Sequence, residues 1–398
     1  MPVLKLWAGV DAGKEHHHCV VIDSDGRRLL SRRVLNDETV LLELIGDVLA
    51  LSDEVAWAID LNSGGAALLL GLLVNHDQPV AYLTGLSVNR AAGTYRGEGK
   101  TDARDAFVIA DQARVRRDLG LMRPGEDVAV DLRTLTTRRT DLIADRTRQI
   151  NRLRAQLLEI FPALERALEL TNHGPVVLLT GYQTPDSIRK AGAARIERWL
   201  RARKVRNAAK LAAAAIHAAH AQHTKLPGEG LAATMTARLA TGVIALDEEI
   251  SEIDALIEGR FRQHPHAEVI SSLPGIGARL GAEFLAETGG DMTMFGTSDR
   301  LAAFAGLAPA ARDSGKISGN LRRPRRYNRA LLRVFYLSSF ASLRLCAASK
   351  SYYDRKRAEG KGHKQALLAL ARRRVNVLWA LIRDQRRYQT TPPVTAAA

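Results

Sequence analysis

The chain has 398 residues, enough for two or three domains, and its 46% hydrophobic content supports real cores. Only 5% of residues are aromatic, so base stacking on aromatic platforms is not expected to dominate binding, and two distant cysteines (Cys19, Cys346) without CxxC spacing argue against a disulfide framework or structural zinc. The net charge is +15, yet residues 312–390 alone carry 21 Lys/Arg against 4 Asp/Glu, so the excess forms one C-terminal segment suited to polyphosphate backbones.

Leu4–Val10 reads as a strand ending at Asp11, with Gly13 permitting a turn. His16–Ile22 is a second strand, Asp23-Ser24-Asp25-Gly26 a hairpin turn and Arg27–Val34 a third strand. A helix from Glu38 to about Leu51, a strand Val55–Ile59 ending at Asp60, a helix Gly65–Asn75 and a strand Val80–Leu83 follow. A meander followed by alternating helices and strands predicts a mixed α/β sheet with helices on its faces. Asp11 and Asp60 fall at carboxyl ends of strands, where active groups collect in such folds.

Beyond Lys100 the pattern is helical. Asp102–Arg117 is one helix, and Asp127–Ile160 is a long one whose Leu132, Leu135, Leu142, Ile143, Ile150, Leu153 and Leu157 recur near heptad spacing. Residues 175–240 are Ala-rich and read as a helical insertion, and Ile244–Phe261 as another amphipathic helix. The long helices fit either a coiled-coil arm or dimer contact, or an ordinary bundle. The expected division is 1–125, an α/β acidic domain; 126–265, a helical linker and insertion; 266–390, a compact helical domain; and 391–398, a disordered tail. No stretch of 18 apolar residues and no signal-peptide layout appear, so a cytoplasmic location without membrane partners is expected.

Four carboxylates form the acidic candidate set. Asp102 and Asp105 are three apart on one helix, so both project from one face. With Asp11 and Asp60 they could hold Mg²⁺ or Mn²⁺, hard cations that take a few carboxylates and keep positions for substrate phosphates. Singly, each aspartate reads as a surface or turn residue. The Asp-x-Gly after the first strand also resembles the opening of actin-like sugar kinases, but no convincing second phosphate loop follows. His16-His17-His18 reads as ordinary strand residues, since neighbours alternate faces.

Leu273-Pro274-Gly275-Ile276-Gly277 before a helix Ala278–Glu287 suggests a helix-hairpin-helix, with Gly275 and Gly277 letting backbone N–H groups approach phosphate. The bland reading is a tight turn. Ser314, in Arg312-Asp313-Ser314-Gly315-Lys316, stands among Lys316, Arg322, Arg323, Arg325, Arg326 and Arg329. A serine there can attack phosphorus when its proton is removed and the phosphate is held. Ser318 is a rival.

Taken together, Val10-Asp11-Ala12-Gly13-Lys14, Ile59-Asp60 and Lys100-Thr101-Asp102-Ala103-Arg104-Asp105-Ala106 resemble the acidic motifs of the DEDD transposases of bacterial insertion-sequence family 110. Leu273–Gly277, Phe304-Ala305-Gly306-Leu307-Ala308-Pro309, Arg312–Lys316 and Asn328–Arg333 resemble that family's C-terminal transposase domain. The resemblance implies a ribonuclease-H-like, Holliday-resolvase-like N-terminal domain and a nucleophilic serine at Ser314. It implies divalent metal on Asp11, Asp60, Asp102 and Asp105, donor and target DNA, a structured bridge RNA as guide, and a homo-oligomer, dimer or tetramer. Asp60 stands where the family usually has glutamate, one methylene longer. Two other functions fit the same residues: a resolvase-like nuclease without serine linkage, and a non-catalytic nucleic-acid-binding derivative.

Overall fold

The computed structural model describes residues 5–61, 64–83, 85–95, 101–116, 119, 121–122, 127–290, 292, 295–311, 314–315, 318–322 and 324–389. Lys316, Arg323 and the predicted tail lie outside the described residues. The chain divides into two compact units, residues 1–126 with 291–296, and residues 127–290 with 297–398.

In the first unit β1 (Leu6–Ala12), β2 (His16–Ile22) and β3 (Arg28–Leu35) form an antiparallel meander. The second turn closes because Asp23 Oδ1 accepts the N–H groups of Asp25 (2.9 Å) and Arg27 (2.8 Å), an Asx-type turn. Asp37 caps α1 (Glu38–Leu49) by accepting the Thr39 N–H at 3.1 Å. Then come β4 (Val55–Ile59), α2 (Ala67–Asn75), β5 (Val80–Tyr82), α3 (Gly85–Ala92), α4 (Asp102–Val115) and β6 (Leu121–Met122). The described strands make one sheet in the order β3-β2-β1-β4-β5-β6. Parallel pairing joins β1 to β4 and β4 to β5, and β6 runs antiparallel to β5.

Alternation along β1 and β4 assigns the two faces. Leu6, Ala8, Val10, Val55, Trp57 and Ile59 pack in one core with Leu41, Leu44 and Leu69 of α1 and α2. On the other face Val20 and Ile22 meet Ala106 and Ala110 of α4, while Ala58 meets Val108 and Ile109. The mixed sheet covered by helices on both faces agrees with the alternation read from sequence. Strand β1 runs past Val10, so Asp11 lies within the strand and not beyond it. Helix α3 and strand β6 were not anticipated: β6 is two residues long, too short to show a period.

The second unit begins with α5 (Asp127–Ile160), α6 (Pro162–Ala167), α7 (His173–Gly181), α8 (Pro185–Ala202), α9 (Ala208–His220) and α10 (Glu229–Arg262). Of the seven residues near heptad spacing, Leu132, Leu142, Ile150, Leu153 and Leu157 are buried, whereas Leu135 is half-buried and Ile143 is exposed. Helix α10 starts 15 residues before the predicted Ile244, because the Ala-rich stretch ahead of it is strongly helix-forming and buries Thr236, Ala240 and Val243. Helices α5 and α10 run antiparallel: Asp131 meets Arg260 (2.7 Å), Arg138 meets Glu249 (2.6 Å), Arg139 meets Asp254 (2.5 Å) and Arg146 meets Asp247. Such pairs add little stability singly but fix the register of the two helices. The long-helix pairing is thus made within the chain.

The remaining elements are α11 (Ala267–Ser272), α12 (Ala278–Thr288), α13 (Ser298–Phe304), β7 (Ala310–Ala311), β8 (Leu321–Arg322), α14 (Arg329–Leu345), α15 (Ala347–Ala358) and α16 (His363–Arg383). No single helix among the described residues is long and apolar enough to cross a membrane.

Candidate active site

One close approach sets α4, the helix that carries Asp102 and Asp105, on the sheet beside β1. A Cβ on Gly9 would lie 2.3 Å from both the Ala106 carbonyl oxygen and the Ala110 nitrogen. Only glycine on β1, facing alanines on α4, lets that helix descend onto the sheet. Thr101 caps α4 by accepting the Arg104 N–H at 3.3 Å, so the helix begins at Asp102 and carries Asp105 in its first turn. Both precede Ala106 by no more than one turn.

On the sheet, Val10 pairs with Ile59 in parallel register, which brings Asp11 and Asp60 to the same end of adjacent central strands. By alternation both occupy the α4 face. The Ala12 N–H donates to Asp60 Oδ1 at 3.2 Å, holding the β4 end against β1. Burial raises the Asp60 carboxyl above the ordinary carboxylate range; the Ala12 hydrogen bond opposes this and the nearby Asp105 charge adds to it. Asp11, Asp60 and Asp105 are half-buried and Asp102 is exposed.

Histidines, read from sequence as ordinary strand residues, also stand at this end of the sheet. His18 stands directly opposite Asp11 in the antiparallel register. Burial lowers its pKa against the opposing field of Asp102. Its Nε2 lies 3.0 Å from Ser31 Oγ. His17 faces the other side, only 1% exposed, and burial lowers its pKa as well. The strand register, which sequence alone does not give, is the signal that would have paired His18 with Asp11.

An all-carboxylate set suits a hard divalent cation, and a buried carboxyl beside a second carboxylate lacks countercharge. Among the described residues no three His, Cys, Asp or Glu groups converge closely enough to hold an ion. Binding one would require the strand-end and helix carboxylates to close on it.

In the second unit β7 and β8 pair antiparallel, Ala310 with Arg322 and Ala311 with Leu321. Ser314 and Ser318 therefore belong to the connection of a short hairpin, and both are exposed. Gly315 (φ +52°) and Gly319 (φ +78°) take left-handed backbone there. The far end of the hairpin is anchored. The Asn328 N–H donates to the Phe304 carbonyl at 2.7 Å, Asn328 Nδ2 to Glu287 at 2.5 Å, and Asn328 Oδ1 caps α14 by accepting the Leu331 N–H at 2.9 Å. Gly306 (φ +70°) leaves room for the Tyr327 ring, 2.4 Å from where its Cβ would be. Arg322, Arg325, Arg326 and Arg329 are exposed, and none forms an ion pair with another described residue.

The Leu273–Gly277 turn lies between α11 and α12. Gly275 (φ +89°) turns its Cα toward α14, where a Cβ would lie 2.5 Å from the Ser338 carbonyl oxygen. Its bareness admits a neighbouring helix, the packing use of a tight turn. Gly277 caps α12 and has open space around its Cα.

Residues 8–162 match a transposase family of the DEDD type of IS110, and residues 267–354 match the transposase family of IS116, IS110 and IS902. The chain is 60% identical over 396 residues to the 42 kDa protein of insertion element IS900 from Mycobacterium paratuberculosis, covering 99% of each. It is 50% identical to the 44.8 kDa protein of insertion element IS116 from Streptomyces clavuligerus, covering 99% of this chain and 98% of that one. Among solved structures, RuvC of T. thermophilus in complex with a Holliday junction substrate overlaps 30% of this chain and 99% of its own, at 16% identity and a TM-score of 0.25. That overlap is too slight to carry an argument.

Proposed function

Because this chain belongs to the transposase family of IS110-type insertion elements, we propose that it cuts and rejoins DNA through a phosphoserine intermediate, using an acidic centre on a ribonuclease-H-like sheet. The carrying observation is the placement of Asp11 and Asp60 at the same end of adjacent parallel strands, on the sheet face covered by α4, the helix that Gly9 admits and whose first turn carries Asp102 and Asp105. An antiparallel meander continued by parallel strands, in the order β3-β2-β1-β4-β5, supports the ribonuclease-H-like reading.

Asp11, Asp60, Asp102 and Asp105 would hold Mg²⁺ or Mn²⁺, which when bound neutralises phosphate charge and lowers the pKa of an attacking or leaving oxygen. The Ala12 N–H orients the Asp60 carboxylate. Ser314 Oγ bonds to phosphorus as one ester P–O bond of the DNA breaks, and the serine proton passes to the departing oxygen. Rejoining reverses this: a strand-end hydroxyl displaces Ser314. Gly315 keeps the backbone beside Ser314 clear of a side chain. Lys316, Arg322, Arg323, Arg325, Arg326 and Arg329 hold the sugar-phosphate backbone, and Gly277 offers a backbone N–H at the start of α12. The basic segment also supports a guide RNA, and a homo-oligomer would bring two cutting centres to donor and target DNA.

The test is cleavage of element-end DNA in magnesium buffer by the full-length protein with its guide. Strand breaks that need Asp102 and leave protein on the DNA support the reading. Breaks without bound protein favour the nuclease, and binding without breaks the non-catalytic derivative.

A further inference from the structure

One cavity in the second unit belongs to neither the acidic residues nor the hairpin. It measures about 840 Å³ and is enclosed by Leu273, helices α15 and α16, and residues 386–389. Helix α16 lies outside the 267–354 family match. The volume falls within the range of small-ligand pockets.

Its chemistry is divided. Leu370, Val377 and Leu381 give an apolar wall, while arginines occupy the rim and floor. Arg355 and Arg373 reach in from different helices, their guanidinium carbons 5.0 and 4.9 Å from the centre of the Tyr352 ring. Both are exposed, and Tyr352 is half-buried. Arg355 has only a long contact to Glu359, 3.9 Å, and Arg373 has no carboxylate partner among the described residues. Arg386 and Arg387 differ, being paired with Asp384 and Glu268.

Beneath them Arg374 is only 3% exposed. Its Nε and Nη2 donate to Ser338 Oγ at 2.9 and 2.6 Å, and Nη2 donates to the Pro274 carbonyl at 2.5 Å. No carboxylate pairs with it among the described residues. A buried cation is costly unless it is paired, and hydroxyl and carbonyl oxygens compensate only in part. An anion entering the cavity would complete the compensation. Burial already pulls the Arg374 pKa down to about 10.

We propose that this cavity receives one unpaired nucleotide of a bound nucleic acid, its phosphate on Arg355 and Arg373 above Arg374, its base against Leu370, Val377 and Leu381. A simple inorganic anion would not use the apolar wall, and an apolar ligand would leave the arginines unanswered. A duplex holds its bases in the stack, so only a single-stranded or extruded residue fits. Both RNA and DNA offer this chemistry. The site is independent of the acidic centre, and its test needs no metal.

The experiment measures fluorescence-anisotropy binding of the full-length protein in EDTA, with a labelled 20-nucleotide single strand in ribo and deoxyribo forms and the matching DNA duplex as probes. Arg355→Ala/Arg373→Ala should weaken single-strand binding about tenfold or more and the duplex much less. Its slope of log affinity against log salt should fall by about 1.4 for two lost phosphate contacts. The larger loss, in the RNA or the DNA arm, identifies the strand. Arg355→Lys/Arg373→Lys, which keeps the charge, should restore the slope and so separates binding from folding. Photo-crosslinking with iodopyrimidine strands should label the peptide bearing Tyr352 or Tyr388. Equal losses for duplex and single strand, an unchanged slope, or crosslinks confined to other peptides would overturn the proposal, and none of these outcomes bears on the acidic centre.

Discussion

The Ala12 amide donates to the Asp60 carboxylate at 3.2 Å, joining the carboxyl ends of β1 and β4 where Asp11 and Asp60 stand side by side. This bond supports a side chain one methylene shorter than a glutamate would be. Asp60→Glu should therefore keep or raise DNA cleavage, reaching further from the same backbone position. Asp60→Ala should lower it about a hundredfold or more, since a metal ligand supports several kcal/mol of transition-state stabilisation. Single-turnover rates in magnesium decide; equal rates for Asp60→Ala and the parent would remove Asp60 from the site.

Asp102 and Asp105 occupy the first turn of α4, Asp102 exposed and Asp105 half-buried. Their stabilising contribution is that of carboxylates at a helix N-terminus, about 0.3–1 kcal/mol each. Asp102→Asn and Asp105→Asn should abolish cleavage while shifting the melting temperature by only a few degrees. Calorimetry run beside the cleavage assay checks both halves. A mutant that cuts normally, or one that unfolds, contradicts the assignment.

Gly9→Ala should disturb the same site from below. The added methyl would meet Ala106 and Ala110 backbone atoms at 2.3 Å, so α4 must lift. Overpacking of this kind costs about 1–3 kcal/mol. Activity should fall along with stability, because Asp102 and Asp105 move with the helix. Full activity at unchanged stability would show that α4 does not need this close approach.

The three-strand meander and the β4 and β5 strands were legible because period-two apolar alternation and the Asp23–Gly26 turn are local signals. Asp11 and Asp60 could be placed at strand ends for the same reason. Gly9 was not legible as the seat of α4, since the residues it meets lie about a hundred positions away. Gly275 is the reverse case: a turn glycine whose local signal suggested phosphate, and whose Cα meets the α14 backbone. The Arg374 cavity escaped because its walls come from Leu273, α15, α16 and the last described residues, which share no sequence period. The Ala-rich start of α10 lacked large apolar residues to mark a face, although alanine burial holds it.

Glu283 gives a pH prediction for the second unit. It is 9% exposed on α12, and Arg333 Nε on α14 donates to it at 3.1 Å. Burial raises its carboxyl above the ordinary 4.5, outweighing the Arg333 attraction. The folded state thus holds this proton to higher pH than the unfolded chain. Its stabilising share is complete below the unfolded value and is lost as pH rises through the raised folded one. Glu283→Gln, which cannot ionise, should remove that decline, which sets in above the ordinary carboxylate value of 4.5. Urea titrations at several pH values test it; parallel pH curves for both proteins would contradict it.

The central claim is a serine that becomes covalently joined to DNA, and trapping that bond tests it most directly. The protein, guide and element-end DNA are incubated in magnesium buffer, denatured, and the DNA-linked peptide is mapped by mass spectrometry. The account predicts an adduct on Ser314 that vanishes in Ser314→Ala and persists in Ser318→Ala. Cleaved DNA with no adduct, or an adduct that survives Ser314→Ala, would contradict it.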